Sequence, residues 1–135
     1  RRVLFRSAMK IAHIALWTRQ LEQQARFWVA FFDGEINEKY CSQTNPGFES
    51  FFVRIGDDIA IELMTKPGLT ALTADNNHTG WVHLAITVGG TENVDRLAKR
   101  AAEQDILVSA PRTTGDGYYE AVIKDPDGNL IEIVA

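Results

Sequence analysis

Apolar positions along this chain change from the alternation of strands to the spacing of a helix and back again. Residues 11–17 form a short, β-rich apolar run, which predicts a strand. The next apolar side chains fall at i, i+4, i+7 and i+11, a spacing typical of an amphipathic helix, and they are Leu21, Ala25, Trp28 and Phe32. Thr18 is the predicted N-cap of this helix, and Gly34 is its predicted end.

The second half of the chain repeats this order. Residues 81–88 predict a strand, and a weaker helical stripe follows Gly89, Gly90 and Thr91. Its apolar residues are Val94, Leu97, Ala98, Ala101 and Ala102. Three strand-like runs follow each helix, at residues 35–40, 48–55 and 59–64 and then at 106–109, 118–124 and 130–134. Each half is therefore a predicted βαβββ unit.

An internal repeat explains this recurrence. With an offset of 70, ten of the 52 positions between 13 and 64 are identical to their partners, without a gap, against about three expected by chance. We divide the chain into module one (10–65), a linker (66–80) rich in Thr, Asn, Gly and Pro, and module two (81–135). Residues 9–135 are then one domain.

The charge and composition exclude several classes of protein. The 135 residues carry 14 Lys and Arg against 18 Asp and Glu, a net charge of −4, which does not suit a nucleic-acid or anionic-membrane binder. Arg1, Arg2 and Arg6 precede Met9, and we interpret residues 1–8 as a tag or extension. Without a membrane span or a signal sequence, we expect a cytoplasmic protein. The single cysteine excludes an internal disulfide framework.

Four polar residues interrupt strands that are otherwise apolar. His13 and His83 lie in the first strand of each module, and Glu62 and Glu132 lie in the last. Each glutamate must either face water or have a cation beside it, because an isolated carboxylate costs several kcal/mol to bury, and strand alternation alone does not decide between the two. Two imidazoles and two carboxylates suit a divalent first-row metal ion. The repeat therefore predicts one metal site made by these four side chains.

The sequence resembles the vicinal oxygen chelate superfamily over almost its whole length. The resemblance rests on the βαβββ repeat, on the four predicted ligands, and on the Lys-Asp-Pro-Asp-Gly-Asn-Leu-Ile-Glu run at residues 124–132. The His/Glu/His/Glu order is similar to glyoxalase I, the lactoylglutathione lyases. Methylmalonyl-CoA epimerases of the superfamily have Gln where Glu62 stands, and drug-sequestering bleomycin-resistance proteins lack the ligands.

The resemblance implies an α+β fold in which two βαβββ modules in tandem form a curved mixed sheet. It also implies a lyase that isomerises the hemithioacetal of a 2-oxoaldehyde and a thiol, glutathione or another, through an enediolate. One divalent ion would bind per site, Ni²⁺, Zn²⁺ or Co²⁺ in preference to Fe²⁺ or Mn²⁺. Glu132 matches the catalytic base and Glu62 its partner across the metal. A homodimer is expected.

Further residues are candidates for substrate binding. Trp17 stands four positions after the first His, where glutathione-binding glyoxalases commonly carry Arg, and it is interpreted either as core or as pocket wall. Arg112 and Tyr118 belong to a segment with a Gly-rich start that suggests a mobile flap, although Arg112 is equally well explained as surface charge. Glu120 is a titratable candidate, for which an exposed strand carboxylate is the simpler interpretation.

Two other functions remain open from the sequence. An Fe²⁺ extradiol dioxygenase on the same scaffold would use both histidines and one glutamate, so that Glu62 would not be a ligand. A non-enzymatic protein that binds a small molecule or drug would hold no stoichiometric metal.

Overall fold

The computed structural model describes residues 8–57, 59–75 and 77–135. Residues 1–7 of the predicted N-terminal extension lie outside the described residues. The chain separates into two compact units between Leu69 and Thr70, inside the predicted linker. Within the described ranges, no helix is long and apolar enough to cross a membrane.

Within the described residues each unit contains one helix and one mixed sheet, and the elements of the two units follow a similar order. The elements of module one are β1 (His13–Trp17), α1 (Leu21–Phe32), β2 (Glu35–Ile36), β3 (Tyr40–Cys41), β4 (Glu49–Arg54) and β5 (Ala60–Thr65). Those of module two are β6 (Leu84–Thr87), α2 (Thr91–Glu103), β7 (Leu107–Thr113), β8 (Tyr119–Lys124) and β9 (Leu130–Val134). The predicted α+β fold with two repeated modules is confirmed.

The strand pairings also repeat with the offset of 70. The first sheet has the order β1-β5-β4-β2, with β3 also paired to β4, and the second has the order β6-β9-β8-β7. Ala15 faces Glu62 in the parallel β1/β5 pair, and Ala85 faces Glu132 in the parallel β6/β9 pair. The sequence repeat is therefore a repeat of register, because equivalent residues have equivalent neighbours.

Each helix covers one face of its own sheet. Strand alternation sends every second side chain toward the helix. The buried apolar side chains of module one include Trp28, Phe31, Val53, Ile61 and Leu63, and those of module two include Val94, Leu97, Ala121, Ile123, Ile131 and Ile133. The alternate residues, among them the predicted ligands, lie on the face away from the helix.

The ends of α1 differ from their prediction. The N-cap is Gln20, and the Thr18 hydroxyl instead accepts a hydrogen bond of 3.0 Å from the Gln20 N–H. The residue in the left-handed conformation after the helix is Asp33, with φ of 53°. Gly34 has another role, because a Cβ there would lie 2.5 Å from Val53 Cγ1. A glycine is needed at this position to bring the chain close to β4.

Two strand predictions also differ from the structure. The run at 35–40 is divided into β2 and β3 around Asn37. The Asn37 N–H still donates to the Phe52 carbonyl at 3.2 Å, but the side-chain oxygen of Asn37, in place of a backbone carbonyl, accepts the Phe52 N–H at 2.8 Å. β7 runs to Thr113, further than predicted, and contains two register irregularities. The predicted flap is therefore shorter than expected, because Arg112 belongs to a strand.

The predicted turn between β8 and β9 is present and is fixed by a buried carboxylate. Asp125 is 2% exposed, and its Oδ1 accepts the N–H groups of Asp127 and Asn129, each at 2.9 Å. Gly128 has φ of 92°, a conformation that favours glycine. This turn sets the register of β9 and therefore the position of Glu132 on the sheet.

Candidate functional site

Module one places the first predicted ligand pair on the open face of its sheet. His13 Nε2 lies 3.5 Å from Glu62 Oε1, across the parallel strands β1 and β5. The His13 side chain is 45% exposed and that of Glu62 only 18%. The ring of Phe52, on β4, meets the His13 ring edge to face with a centroid distance of 5.6 Å. The imidazole is therefore held on one side and remains accessible on the other.

Module two repeats this arrangement. His83 directly precedes β6, and its Nε2 lies 3.4 Å from Glu132 Oε2 on β9. The two side chains are 31% and 19% exposed. Each glutamate thus lies beside a histidine of its own module, and neither points into solvent far from a nitrogen donor.

The spacing within each pair suits two ligands of one metal ion. Two atoms bound at roughly 2.1 Å in tetrahedral geometry lie about 3.4 Å apart, and the pairs measure 3.5 Å and 3.4 Å. In the ranges that the structure describes, no group of three or more His, Cys, Asp or Glu side chains could hold a metal ion. Each module therefore offers two ligands, and the site of four remains a prediction.

Glu120 departs from the simpler interpretation of the sequence. It is only 7% exposed, so the expectation of an exposed strand carboxylate is wrong. Its carboxyl group hydrogen-bonds that of Glu132 on the neighbouring strand. This bond, together with burial, raises the pKa of Glu120 to about 7, against the opposing charge of Arg112. At neutral pH, two carboxyl groups in contact thus share a site beside His83.

The internal repeat does not predict the Glu120–Glu132 carboxyl pair. The residue equivalent to Glu120 in module one is Ser50, since 120 − 70 = 50, and it is 3% exposed. Position 120 is therefore one of the points at which the two modules differ in chemistry.

We expect the stability of the metal-free protein to fall as the pH rises through the pKa of Glu120. The pKa of Glu120 is higher in the folded than in the unfolded chain, so protonated Glu120 stabilises the folded state. This contribution is complete below about pH 4.5 and is lost as the pH rises through about 7. The free energy of unfolding should decrease by about 1–2 kcal/mol between about pH 5 and pH 8 from this group. Urea unfolding at several pH values measures the decrease.

Two variants check the assignment of this pH dependence. Glu120→Gln removes the titrating proton and keeps a hydrogen-bond donor toward Glu132, so its unfolding curve should depend less on pH. Glu103→Gln changes an exposed residue of α2 and should behave as the unchanged protein does. An equal pH dependence in the protein and in Glu120→Gln would contradict the assignment.

The other predicted substrate residues have different surroundings. Trp17 is 44% exposed, which excludes its interpretation as core. Arg112 faces Glu120 across β7 and β8. Tyr118 is 57% exposed at the end of this hairpin, where its N–H and C=O both bond to Thr114. Of these residues, Arg112 is the one placed beside the Glu120–Glu132 pair.

The sequence of the chain matches a known family over almost its whole length. The profile of the Glyoxalase/Bleomycin resistance protein/Dioxygenase superfamily matches residues 10–133. The chain belongs to this superfamily. The resemblance given by the repeat and the four polar strand residues is thereby confirmed at the level of the superfamily.

Several solved structures have the same fold as this chain. A glyoxylase/bleomycin resistance protein/dioxygenase domain from Frankia sp. EAN1pec has a TM-score of 0.80 and 18% identity, over 95% of this chain and 92% of that one. The trypanothione-dependent glyoxalase I of Leishmania major has a TM-score of 0.73 and 21% identity, over 94% and 86%. Lactoylglutathione lyase from Agrobacterium tumefaciens has a TM-score of 0.67 and 21% identity, over 96% and 95%. No curated protein matches the chain in sequence.

Proposed function

We propose that this protein is a metal-dependent lyase of the glyoxalase I type, acting on the hemithioacetal of a 2-oxoaldehyde and a small thiol. The observation that carries the proposal is the repeated His–Glu pair, which has the spacing of two metal ligands on the open face of each sheet. Glutathione is one candidate thiol, and a homodimer is the proposed active form.

The proposed ligands are His13 and Glu62 from module one and His83 and Glu132 from module two. Two neutral nitrogens and two anionic oxygens form a donor set that suits Ni²⁺, Zn²⁺ or Co²⁺. The bound ion would supply positive charge beside the two substrate oxygens, which stabilises the negative charge of the enediolate. The low exposure of the glutamates, 18% and 19%, strengthens their attraction for a cation.

Glu132 is the proposed base in this reaction. Its carboxylate removes the proton from C1 of the hemithioacetal and returns a proton to C2, so that C1 becomes the thioester carbonyl and C2 the carbinol carbon. Glu120 is well placed to influence this transfer, because its carboxyl group contacts that of Glu132. In module one the position equivalent to Glu120 is Ser50, which is not a carboxylic acid.

The function is tested by metal analysis followed by an activity panel. We expect the purified chain to hold one divalent ion per set of four ligands, and chelation to remove both the ion and the turnover. Reconstitution with Ni²⁺, Co²⁺ or Zn²⁺ should restore the conversion of methylglyoxal hemithioacetals to thioesters, followed by ultraviolet absorbance. The double variant His13→Ala, His83→Ala should not be reconstituted, whereas His78→Ala, which changes an exposed histidine, should be.

Other results of the activity panel would support a different function for this protein. Oxygen consumption with catechols after reconstitution with Fe²⁺ would identify an extradiol dioxygenase instead. A chain that binds no stoichiometric metal at any pH between about 6 and 8 would contradict the proposal and favour a small-molecule binding protein.

A further inference from the structure

Phe52 lies beside both members of the first ligand pair. Its ring meets the His13 ring edge to face at a centroid distance of 5.6 Å, and its backbone faces Glu62 across β4 and β5. The Phe52 side chain is half-buried. An edge-to-face contact is one of the preferred arrangements of two aromatic rings, so it favours one orientation of the imidazole.

Within the described residues, His13 lacks the hydrogen bond that commonly orients a ligating histidine. That bond is usually made by the ring nitrogen that does not bind the metal. His13 Nε2 lies 3.5 Å from Glu62, and Nδ1 has no hydrogen-bond partner in the part of the chain that the structure describes. The side chain is also 45% exposed. The contact with Phe52 therefore takes the orienting part that a hydrogen bond takes in other sites.

A small residue on β5 allows the two rings to meet. β5 lies between β1 and β4, and His13 faces Ala60 whereas Phe52 faces Glu62. The rings must therefore reach each other over β5, because β1 and β4 are about 9–10 Å apart at the usual strand spacing. Ala60 shares the sheet face of Glu62, and its methyl group leaves this space open.

Module two has the opposite sizes at the two equivalent positions. With the offset of 70, Leu130 corresponds to Ala60 and Val122 corresponds to Phe52. The larger side chain thus stands on the last strand of module two and on the preceding strand of module one. Val122 has no ring with which to orient His83, so the two ligand pairs are supported differently.

The backbone of Phe52 is fixed on the side away from β5. Its N–H donates to the side-chain oxygen of Asn37 at 2.8 Å, and its carbonyl accepts the Asn37 N–H at 3.2 Å. Both bonds lie outside the β4/β5 ladder. The residue equivalent to Asn37 in module two is Leu107, whose side chain offers no such bond. Phe52 is therefore held in place before anything binds to His13.

We propose that Phe52 is a positioning residue that holds the His13 imidazole beside Glu62, so that module one presents a preorganised pair of metal ligands. The inference rests on the proposed metal site. A side chain that is already ordered loses less rotational freedom when an ion binds, and binding is correspondingly tighter. Outer contacts of ligating histidines contribute about ten- to hundredfold to metal affinity, and an uncharged aromatic contact belongs at the lower end of this range.

Nuclear magnetic resonance of the metal-free full-length chain measures the orientation of His13. Its three-bond coupling constants should report a single χ1 rotamer in the unchanged protein and an average over rotamers in Phe52→Leu. Phe52→Met, which keeps most of the volume without the ring, should give the same average, whereas Phe52→Tyr should restore the single rotamer. Phe51→Leu makes the same change at a half-buried residue on the opposite face of β4 and should leave His13 ordered.

Titration with Co²⁺ against a competing chelator measures the consequence for metal binding. Phe52→Leu should bind Co²⁺ about tenfold more weakly than the unchanged protein, and Phe52→Tyr should restore the affinity. Phe51→Leu is the control for loss of packing and should bind Co²⁺ as the unchanged protein does.

The positioning role is overturned by rotamer averaging of His13 in the unchanged protein or in Phe51→Leu, or by a single rotamer in Phe52→Leu. An unchanged Co²⁺ affinity in Phe52→Leu overturns it as well. These results leave the lyase proposal standing, because the unchanged protein still binds metal. A chain that binds no Co²⁺ in any form contradicts the lyase instead, and the coupling constants then decide the role of Phe52 without a metal.

Discussion

If the proposed function holds, replacing Glu132 by Gln should lower the turnover of thiol hemithioacetals by about a thousandfold, the usual scale for loss of a general base, while a divalent ion should still bind. The amide keeps the shape of the side chain beside His83 and Glu120, and its oxygen can still face a metal. It cannot accept the C1 proton, because an amide is far less basic than a carboxylate. Turnover and metal content are measured on the same preparation, so that loss of base and loss of metal are separated.

The repeat supplies an internal comparison for this variant. Glu62→Gln changes the equivalent residue of module one and should reduce turnover less, since Glu62 is proposed as a ligand and partner rather than the base. Glu103→Gln, at the exposed end of α2, should have no effect. Near-full activity in Glu132→Gln would assign the proton transfer elsewhere, and a larger loss in Glu62→Gln would exchange the roles of the two glutamates.

We expect Gly34→Ala to destabilise the fold by about 2–3 kcal/mol, the scale of overpacking a core. The new Cβ would lie 2.5 Å from Val53 Cγ1 and 3.1 Å from the Trp28 carbonyl oxygen. Val53 is fully buried and Trp28 is 1% exposed, so neither can yield without disturbing the contact of α1 with its sheet. Chemical unfolding followed by circular dichroism measures the loss.

A second glycine provides the matched control for this substitution. Gly115 has no heavy atom within 4 Å of the position of a Cβ, and its φ lies outside the left-handed region. Gly115→Ala should therefore change the free energy of unfolding by less than about 0.5 kcal/mol. Similar unfolding midpoints for the two variants would show that the chain around Gly34 can relax.

The sequence was sufficient for the features that repeat. The hydrophobic pattern and the offset of 70 predict both helices, the sequence of helix and strands along each module, and the strands that carry each His and Glu, because equivalent residues occupy equivalent elements. The strand pairings of Glu62 and Glu132 confirm that this periodicity is structural. These predictions depend only on alternation and spacing, which local sequence records.

Features that depend on contacts between distant positions could not be read in this way. The raised pKa of Glu120 depends chiefly on Glu132, twelve positions later, and the module-one equivalent of Glu120 is a serine. The contact of Lys66 with Trp17 joins residues 49 positions apart, and Lys66 belongs to the stretch predicted as a linker. In each case the surroundings of an ordinary charged residue depend on a neighbour that no periodicity indicates.

Position 50 carries a serine and the equivalent position 120 a glutamate, so the two modules are chemically inequivalent although their strands pair in the same register. In the proposed isomerisation one carbon of the substrate would lose a proton and the other would gain one, so Glu62 and Glu132 would have different tasks. The carboxylic acid of Glu120 would place a second proton-holding group beside the proposed base alone, an asymmetry that precedes any substrate.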